Sequence, residues 1–239
     1  MTNLGLTAAQ SGALDNPIWS SLTTAHRRFA SGNEVVRRYP AAIAPFAAFA
    51  EATLQATEGL RSLAMDGPIA LFTPTAVAPI KGLEVQLQAP LRQMIFADVP
   101  ETFKAAFDPL GAADAPAMLE LTALTKPGPF FARTYELGRY IGIREDSRLV
   151  AMAGERMHCD GFTEISAVCV HPDHRGKGYA QRLIRALIKG IADRGETPFL
   201  HVFVSNLNAI ALYERLGFVV RAILQVTMLQ RAATFGSDV

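Results

Sequence analysis

Val168-Cys169-Val170-His171-Pro172-Asp173-His174-Arg175-Gly176-Lys177-Gly178-Tyr179-Ala180 is the stretch on which the fold turns. An apolar, β-branched run ends, a short loop with Arg175 and two glycines follows, and an amphipathic run starts at Tyr179. A strand, a tight turn and the first turn of a helix aim several backbone N–H groups at one point, which suits a pyrophosphate. Gly176 and Gly178 let the backbone approach phosphate oxygens and take positive φ. Arg175 adds charge-assisted hydrogen bonds. A Walker loop is excluded, because Gly178 rather than Ser or Thr follows Lys177 and no glycine precedes Gly176 where that motif needs one. A dinucleotide fingerprint needs Gly or Ala three residues after Gly178, where Gln181 stands. Taken alone, the loop also fits an ordinary glycine-rich strand-to-helix turn.

Downstream, Tyr179 to Arg194 carries a helical apolar stripe (Ala180, Leu183, Ile184, Leu187, Ile188, Ile191), with Arg194-Gly195 as its stop. Phe199–Val204 reads as a strand, Ala209–Leu216 as a short helix closed by Gly217, and Phe218–Leu229 as a last strand. Upstream, Thr163–Val170 reads as a strand. Tyr140–Ile143 and Leu149–Met157 are strands joined by a turn at Glu145-Asp146-Ser147. A helix opens at Asp114 with Pro116 and runs through Leu124. The first 108 residues are Ala-rich and carry no chemical motif. Spacing there predicts helices over Trp19–Ala30 and Phe46–Leu63, and strands at Ile69–Phe72, Val85–Leu87 and Gln93–Phe96. Pro100–Pro116 reads as a connector. The expectation is a mixed α/β chain in two units, 1–108 and 109–239.

The chain has 239 residues, 50% hydrophobic and 19% charged, with 23 basic against 22 acidic side chains. That length supports a core without disulfides, and the charge balance gives no footprint for nucleic acid. The longest apolar run, near Ala41–Ala50, is about half the roughly 20 residues that span a bilayer. With no secretory signal at its start, the chain is expected to be cytoplasmic, with Cys159 and Cys169 reduced.

Arg175 to Ala180 matches the (Gln/Arg)-x-x-Gly-x-(Gly/Ala) motif with which the GNAT superfamily of N-acyltransferases binds acyl-CoA. Glu164-Ile165-Ser166-Ala167-Val168 resembles that family's central strand, and Asn208 through Phe218 its closing helix. The likeness covers roughly Asp114 to Arg231, and within the superfamily it is greatest to glycine-N-acyltransferase-like proteins. In that branch the leading region is often a degenerate GNAT-like half. The resemblance implies a V-shaped splay between the strands Thr163–Val170 and Phe199–Val204. Acetyl-CoA would lie in it as co-substrate, with no metal. The cofactor-binding residues would be Val168, Cys169, Val170, Arg175, Gly176, Lys177, Gly178, Tyr179, Ala180, Gln181, Asn208 and Tyr213. An amine-bearing acceptor would be the partner, and the protein a monomer or homodimer. A non-catalytic acyl-CoA-sensing module, or transfer of a longer acyl group, is the alternative.

Two residues are the catalytic candidates. Glu164 interrupts an apolar strand, so burial is expected to raise its pKa and suit it to general-base work. The bland reading is a salt bridge. Tyr213, where the family places its acid, either protonates the leaving thiolate or is a core aromatic. His201 faces the acceptor or is a satisfied core histidine. His158, Cys159, His171 and His174 fit no zinc spacing, and Cys169 reads as a packing residue. Arg182, Arg185 and Lys189 form a solvated stripe, and Arg133 is a candidate anchor for an acidic substrate group.

Overall fold

The computed structural model describes residues 5–100 and 107–232. In chain order its elements are α1 (Ala8–Asp15), α2 (Pro17–Thr23), β1 (Ser31–Gly32), β2 (Val36–Arg38), β3 (Ala47–Phe49), α3 (Leu54–Leu63), β4 (Ile69–Thr73) and β5 (Leu83–Phe96). There follow β6 (Asp108–Leu110), α4 (Ala115–Thr125), β7 (Tyr140–Glu145), β8 (Arg148–Cys159), β9 (Phe162–Val170), α5 (Tyr179–Ala192), β10 (Thr197–Phe203), α6 (Leu207–Arg215) and β11 (Phe218–Arg231).

One eight-stranded mixed sheet has the order β4-β11-β5-β10-β9-β8-β7-β6, and β1-β2-β3 form a small second sheet. The large sheet runs across the division expected near residue 108. β5 lies between β10 and β11 and is antiparallel to both. α5 and α6 cover one face. Leu183, Ile184, Leu187, Ile188 and Ile191 are buried there against Met94, Ile165, Leu200 and Val202, each contributing about 1.5–3 kcal/mol. The other face is roofed by the N-terminal segment, with Leu14, Ile18, Leu22, Phe46 and Phe72 packed on Ile95, Phe162 and Phe199.

The second half forms as its periodicity predicts, to within a few residues at each end, except in the expected connector Pro100–Pro116: residues 101–106 lie outside the described ones, and Asp108–Leu110 pair with β7 as the edge strand β6. The first half departs from its pattern in three places. The helix expected over Trp19–Ala30 stops at Thr23. Thr23 Oγ1 donates to the Trp19 carbonyl (2.8 Å) and Thr24 Oγ1 to the Ser20 carbonyl (2.6 Å), the local competition that ends helices. Only a single 3₁₀ turn follows, at Arg27–Phe29. The front of the helix expected over Phe46–Leu63 is β3. Ala47 and Ala48 are both buried, so the run has no polar side, and it pairs with β2. Thr53 then caps α3, accepting from Ala56 N at 3.1 Å. Finally, the strands at Val85–Leu87 and Gln93–Phe96 are one 14-residue strand through Pro90. Val204 N, past the end of β10, donates to the Pro90 carbonyl. The proline's donor-less nitrogen therefore faces the side where β10 stops, and no ladder bond is lost.

Candidate functional site

β9 and β10 run parallel but pair only from Phe162–Glu164 to Thr197–Phe199. Beyond those three positions β10 pairs with β5 and β9 continues to Val170. A wedge opens between them, with Glu164 and Phe199 at its apex. Along β9 the register with β8 jumps from Gly154↔Ser166 to Met152↔Cys169. Ala167 and Val168 thus oppose one residue, and Ala167 sits at φ +52°, strain of about 1–3 kcal/mol for a residue with a Cβ. Such a bulge takes backbone groups out of the ladder, here on the strand that borders the wedge.

At the wide end lies a cavity of about 350 Å³ lined by Val170, His174, Arg175, Gly176, Gly178, Tyr179, Ala180, Gln181, Leu212 and Arg215. Gly176 and Gly178 have φ of +80° and +75°, and a Cβ at either would project into open space. Gly178 is the N-cap of α5, whose first intrahelical bond is Arg182 N to Gly178 O. The N–H groups of Tyr179, Ala180 and Gln181 precede it and have no acceptor within the helix. This donor cluster, flanked by the guanidinium groups of Arg175 and Arg215, fits a pyrophosphate. The loop is tied down by Glu145, which accepts from Tyr179 Oη and from Lys177 Nζ (3.0 Å) and lies 3.1 Å from His174 Nδ1.

At the apex a buried polar row crosses five strands on the face beneath the N-terminal roof. Arg156 Nε and Nη2 donate to the two oxygens of Glu164 at 2.8 and 2.6 Å. His201 Nδ1 is 2.7 Å from Glu164 Oε1, and His201 Nε2 is 3.1 Å from Gln93 Nε2. The Gln93 amide nitrogen can only donate, so His201 accepts at Nε2 and donates from Nδ1. Gln93 also donates to the Leu14 carbonyl and accepts from Arg221, which reaches Asp15. Phe46 stacks on Arg156 at 4.7 Å and Phe72 on His201 at 4.8 Å. Burial is the largest influence on Glu164 and raises its pKa. The charge and hydrogen bonds of Arg156, then the hydrogen bond from His201, outweigh it and bring the value down to about 2.

The comparisons with known proteins agree with this geometry. The FR47-like family model matches residues 140–226. A [ribosomal protein bS18]-alanine N-acetyltransferase of Salmonella typhimurium is 32% identical over 115 residues, 46% of this chain and 77% of the relative. YobR of Bacillus subtilis, an uncharacterised N-acetyltransferase, is 40% identical over 60 residues, 25% of this chain and 24% of its own length. The crystal structure of a GNAT-family protein from Novosphingobium aromaticivorans DSM 12444 superposes with a TM-score of 0.86 at 41% identity. It covers 92% of this chain and 99% of that one.

The chain belongs to the GNAT superfamily of acyltransferases. It has that superfamily's mixed α/β fold, and among its described residues no helix is long and apolar enough to cross a membrane. The GNAT loop residues Val170, Arg175, Gly176, Gly178, Tyr179, Ala180 and Gln181 share one cavity. Lys177 is turned to Glu145 instead. Val168 packs toward α5, whereas the Cys169 side chain is buried on the opposite face with Met118 and Leu121, leaving only its backbone for the wedge. Asn208 is exposed on the first turn of α6, and Asn206 makes the cap, accepting from Ala209 N. Tyr213 is half-buried beside Phe218, and burial pushes its pKa up to about 12. The expectation for Glu164 needs correcting: its pKa is lowered, not raised, because a bidentate guanidinium outweighs burial. Arg133 is paired with Glu136 and is no free anchor. Sequence reasoning missed Arg215 and Leu212 in the cavity and Arg156 as partner to Glu164. The last had a signal, since Arg156 and Glu164 stand four residues to either side of Asp160 in the hairpin turn.

Proposed function

We propose that this GNAT chain transfers an acetyl group from acetyl-CoA to an amine acceptor by direct attack within a ternary complex. The observation that carries the reading is the wedge between β9 and β10, with a glycine cradle at its mouth and a polar row at its apex. Gly176, Gly178, Tyr179, Ala180 and Gln181 would hold the pyrophosphate with Arg175 and Arg215. The arm of the co-substrate would run along Val168 and Val170. The amine nitrogen bonds to the thioester carbon as the C–S bond breaks. Backbone N–H at the Ala167–Val168 bulge polarises the carbonyl oxygen, and Tyr213, protonated at neutral pH, supplies a proton to the departing thiolate. Glu164, held near 2 by Arg156, is a weak base. It orients His201 and braces the apex. The ammonium proton passes to water before attack, and the proton that nitrogen sheds as the amide forms also passes to water, while solvent reprotonates Tyr213. Holding both reactants in one cleft supplies much of the acceleration.

Thiol release from acetyl-CoA across a panel of amines tests the reading. It should depend on the amine and rise with pH as the neutral fraction of the amine grows; no amine-dependent release with any member overturns it. Tyr213→Phe should lower kcat ~10- to 1,000-fold with little change in CoA affinity. The defect should shrink with a donor whose leaving thiol is more acidic. An equal defect with both donors would make Tyr213 a packing residue.

A further inference from the structure

Among the described residues three buried side-chain atoms lack a hydrogen-bond partner: Arg38 Nη2, His158 Nε2 and Tyr140 Oη. The first belongs to a guanidinium whose other nitrogens donate to the carbonyls of Tyr39 and Leu63. The second lies 3.8 Å from the Glu155 carboxylate. Tyr140 has one hydroxyl, and it is unpaired although the residue is only 1% exposed. A buried hydroxyl without a partner carries a desolvation cost that nothing in the protein returns.

The position of that hydroxyl follows from the register. Tyr140 on β7 stands opposite Gly154 on β8, which stands opposite Ser166 on β9. The ring lies flat over Gly154, where a Cβ would come within 2.2 Å of it. Only glycine lets the phenol reach across β8 toward β9. Phe130 closes the outer side at 5.7 Å. Arg156 and Glu164 are near enough to act electrostatically on the hydroxyl, and Ser166, just ahead of the bulge, is half-buried rather than sealed.

The face matters as much as the position. α5 and α6 fill the face that carries the cofactor cradle and Tyr213. With sulfur leaving toward α6, the acceptor nitrogen meets the thioester carbon from the other side of the sheet, where Tyr140, Arg156, Glu164 and Ser166 lie beneath the N-terminal roof and α4. There Glu164 is fully committed to Arg156 and His201, and His201 to Glu164 and Gln93. The orphan hydroxyl remains for a substrate.

We propose that Tyr140 binds the acceptor: its oxygen accepts an N–H from the attacking primary amine and holds the nitrogen lone pair toward the thioester carbon. This rests on the reading of the chain as an N-acyltransferase. The test is Tyr140→Phe, which removes the hydroxyl and keeps the ring over Gly154. Unliganded Tm should be unchanged or higher, since an unsatisfied group has been deleted, and the Tm rise with CoA should persist. Amine-dependent kcat/KM should fall roughly 10- to 100-fold, the scale of one lost substrate hydrogen bond. Wild-type kcat/KM in the variant overturns the proposal. So does a clear drop in unliganded Tm, which would mean the hydroxyl has a structural partner. If the unmodified enzyme releases no thiol with any amine, it is the acyl-transfer reading that fails.

Discussion

The two ends of the wedge are built in opposite ways. At the mouth, one continuous run from Val170 to Gln181 supplies most of the cavity lining, open to solvent, with backbone as its main working part. At the apex, Arg156, Glu164, His201, Gln93 and Arg221 come from five strands, are largely buried, and work through side chains alone. A contiguous backbone site costs the fold little and can be altered without unfolding it. A row of charges drawn from five strands is inseparable from the core. Losing a residue at the mouth should therefore be felt in binding, and at the apex in stability.

The largest effect expected is at the apex. Arg156→Met removes the partner of a buried carboxylate and should cost about 3–5 kcal/mol in denaturant unfolding. A variant within about 1 kcal/mol of wild type would mean the row is not ion-paired and would erase the contrast. At the mouth, Gly178→Val puts a branched side chain into the space above the cradle, at a φ that L-residues avoid. It should abolish the Tm rise with CoA while changing unliganded stability by no more than about 2 kcal/mol. A folded Gly178→Val protein that still responds to CoA breaks the assignment of the loop.

The third prediction concerns pH and the core beneath the roof. His26 is buried, 2.9 Å from both Tyr39 Oη and the Leu137 carbonyl. Burial first, then the nearby His158, lowers its pKa from 6.5 to about 3. Because the folded-state value is depressed, the unfolded chain binds a proton first. Stability should thus fall as pH drops from about 6.5 toward 3, with a slope of at most about 1.4 kcal/mol per pH unit from this group. Glu164 adds to the loss below about pH 4.5, where the unfolded carboxylate protonates and the folded one does not. His26→Gln should flatten the upper part of that slope. An unchanged slope would place the titrating group elsewhere.

The same contrast explains what was legible. The loop, α5 and the strands around it follow from local period and punctuation, since every residue that matters lies within about a dozen positions. Glu164 was visible as an anomaly, yet the sign of its pKa shift depended on Arg156 across the hairpin and His201 across the wedge. The Ala-rich run at Ala47–Ala48 carried too little polarity to separate strand from helix, and its strand character is decided by β2 beside it. Tyr140 read as the first residue of an apolar strand. Its orphan hydroxyl appears only when Gly154 is known to lie beneath the ring.

The insertion of β5 has a consequence for the order in which the molecule is made. On the ribosome, β5 emerges about 100 residues before β10, its first sheet neighbour, and longer still before β11. At ~5–20 residues per second, that strand stays without its eventual neighbours for roughly 5–20 s. It carries Val85 and Leu87, exposed apolar residues even in the finished sheet. One wall of the wedge, β10, thus docks onto a template laid down long before it. For that whole interval both edges of β5 are open, and the α1–α2 segment, already synthesised, carries the side chains (Leu14, Ile18, Leu22) that cover its buried residues Leu91 and Ile95 in the finished fold.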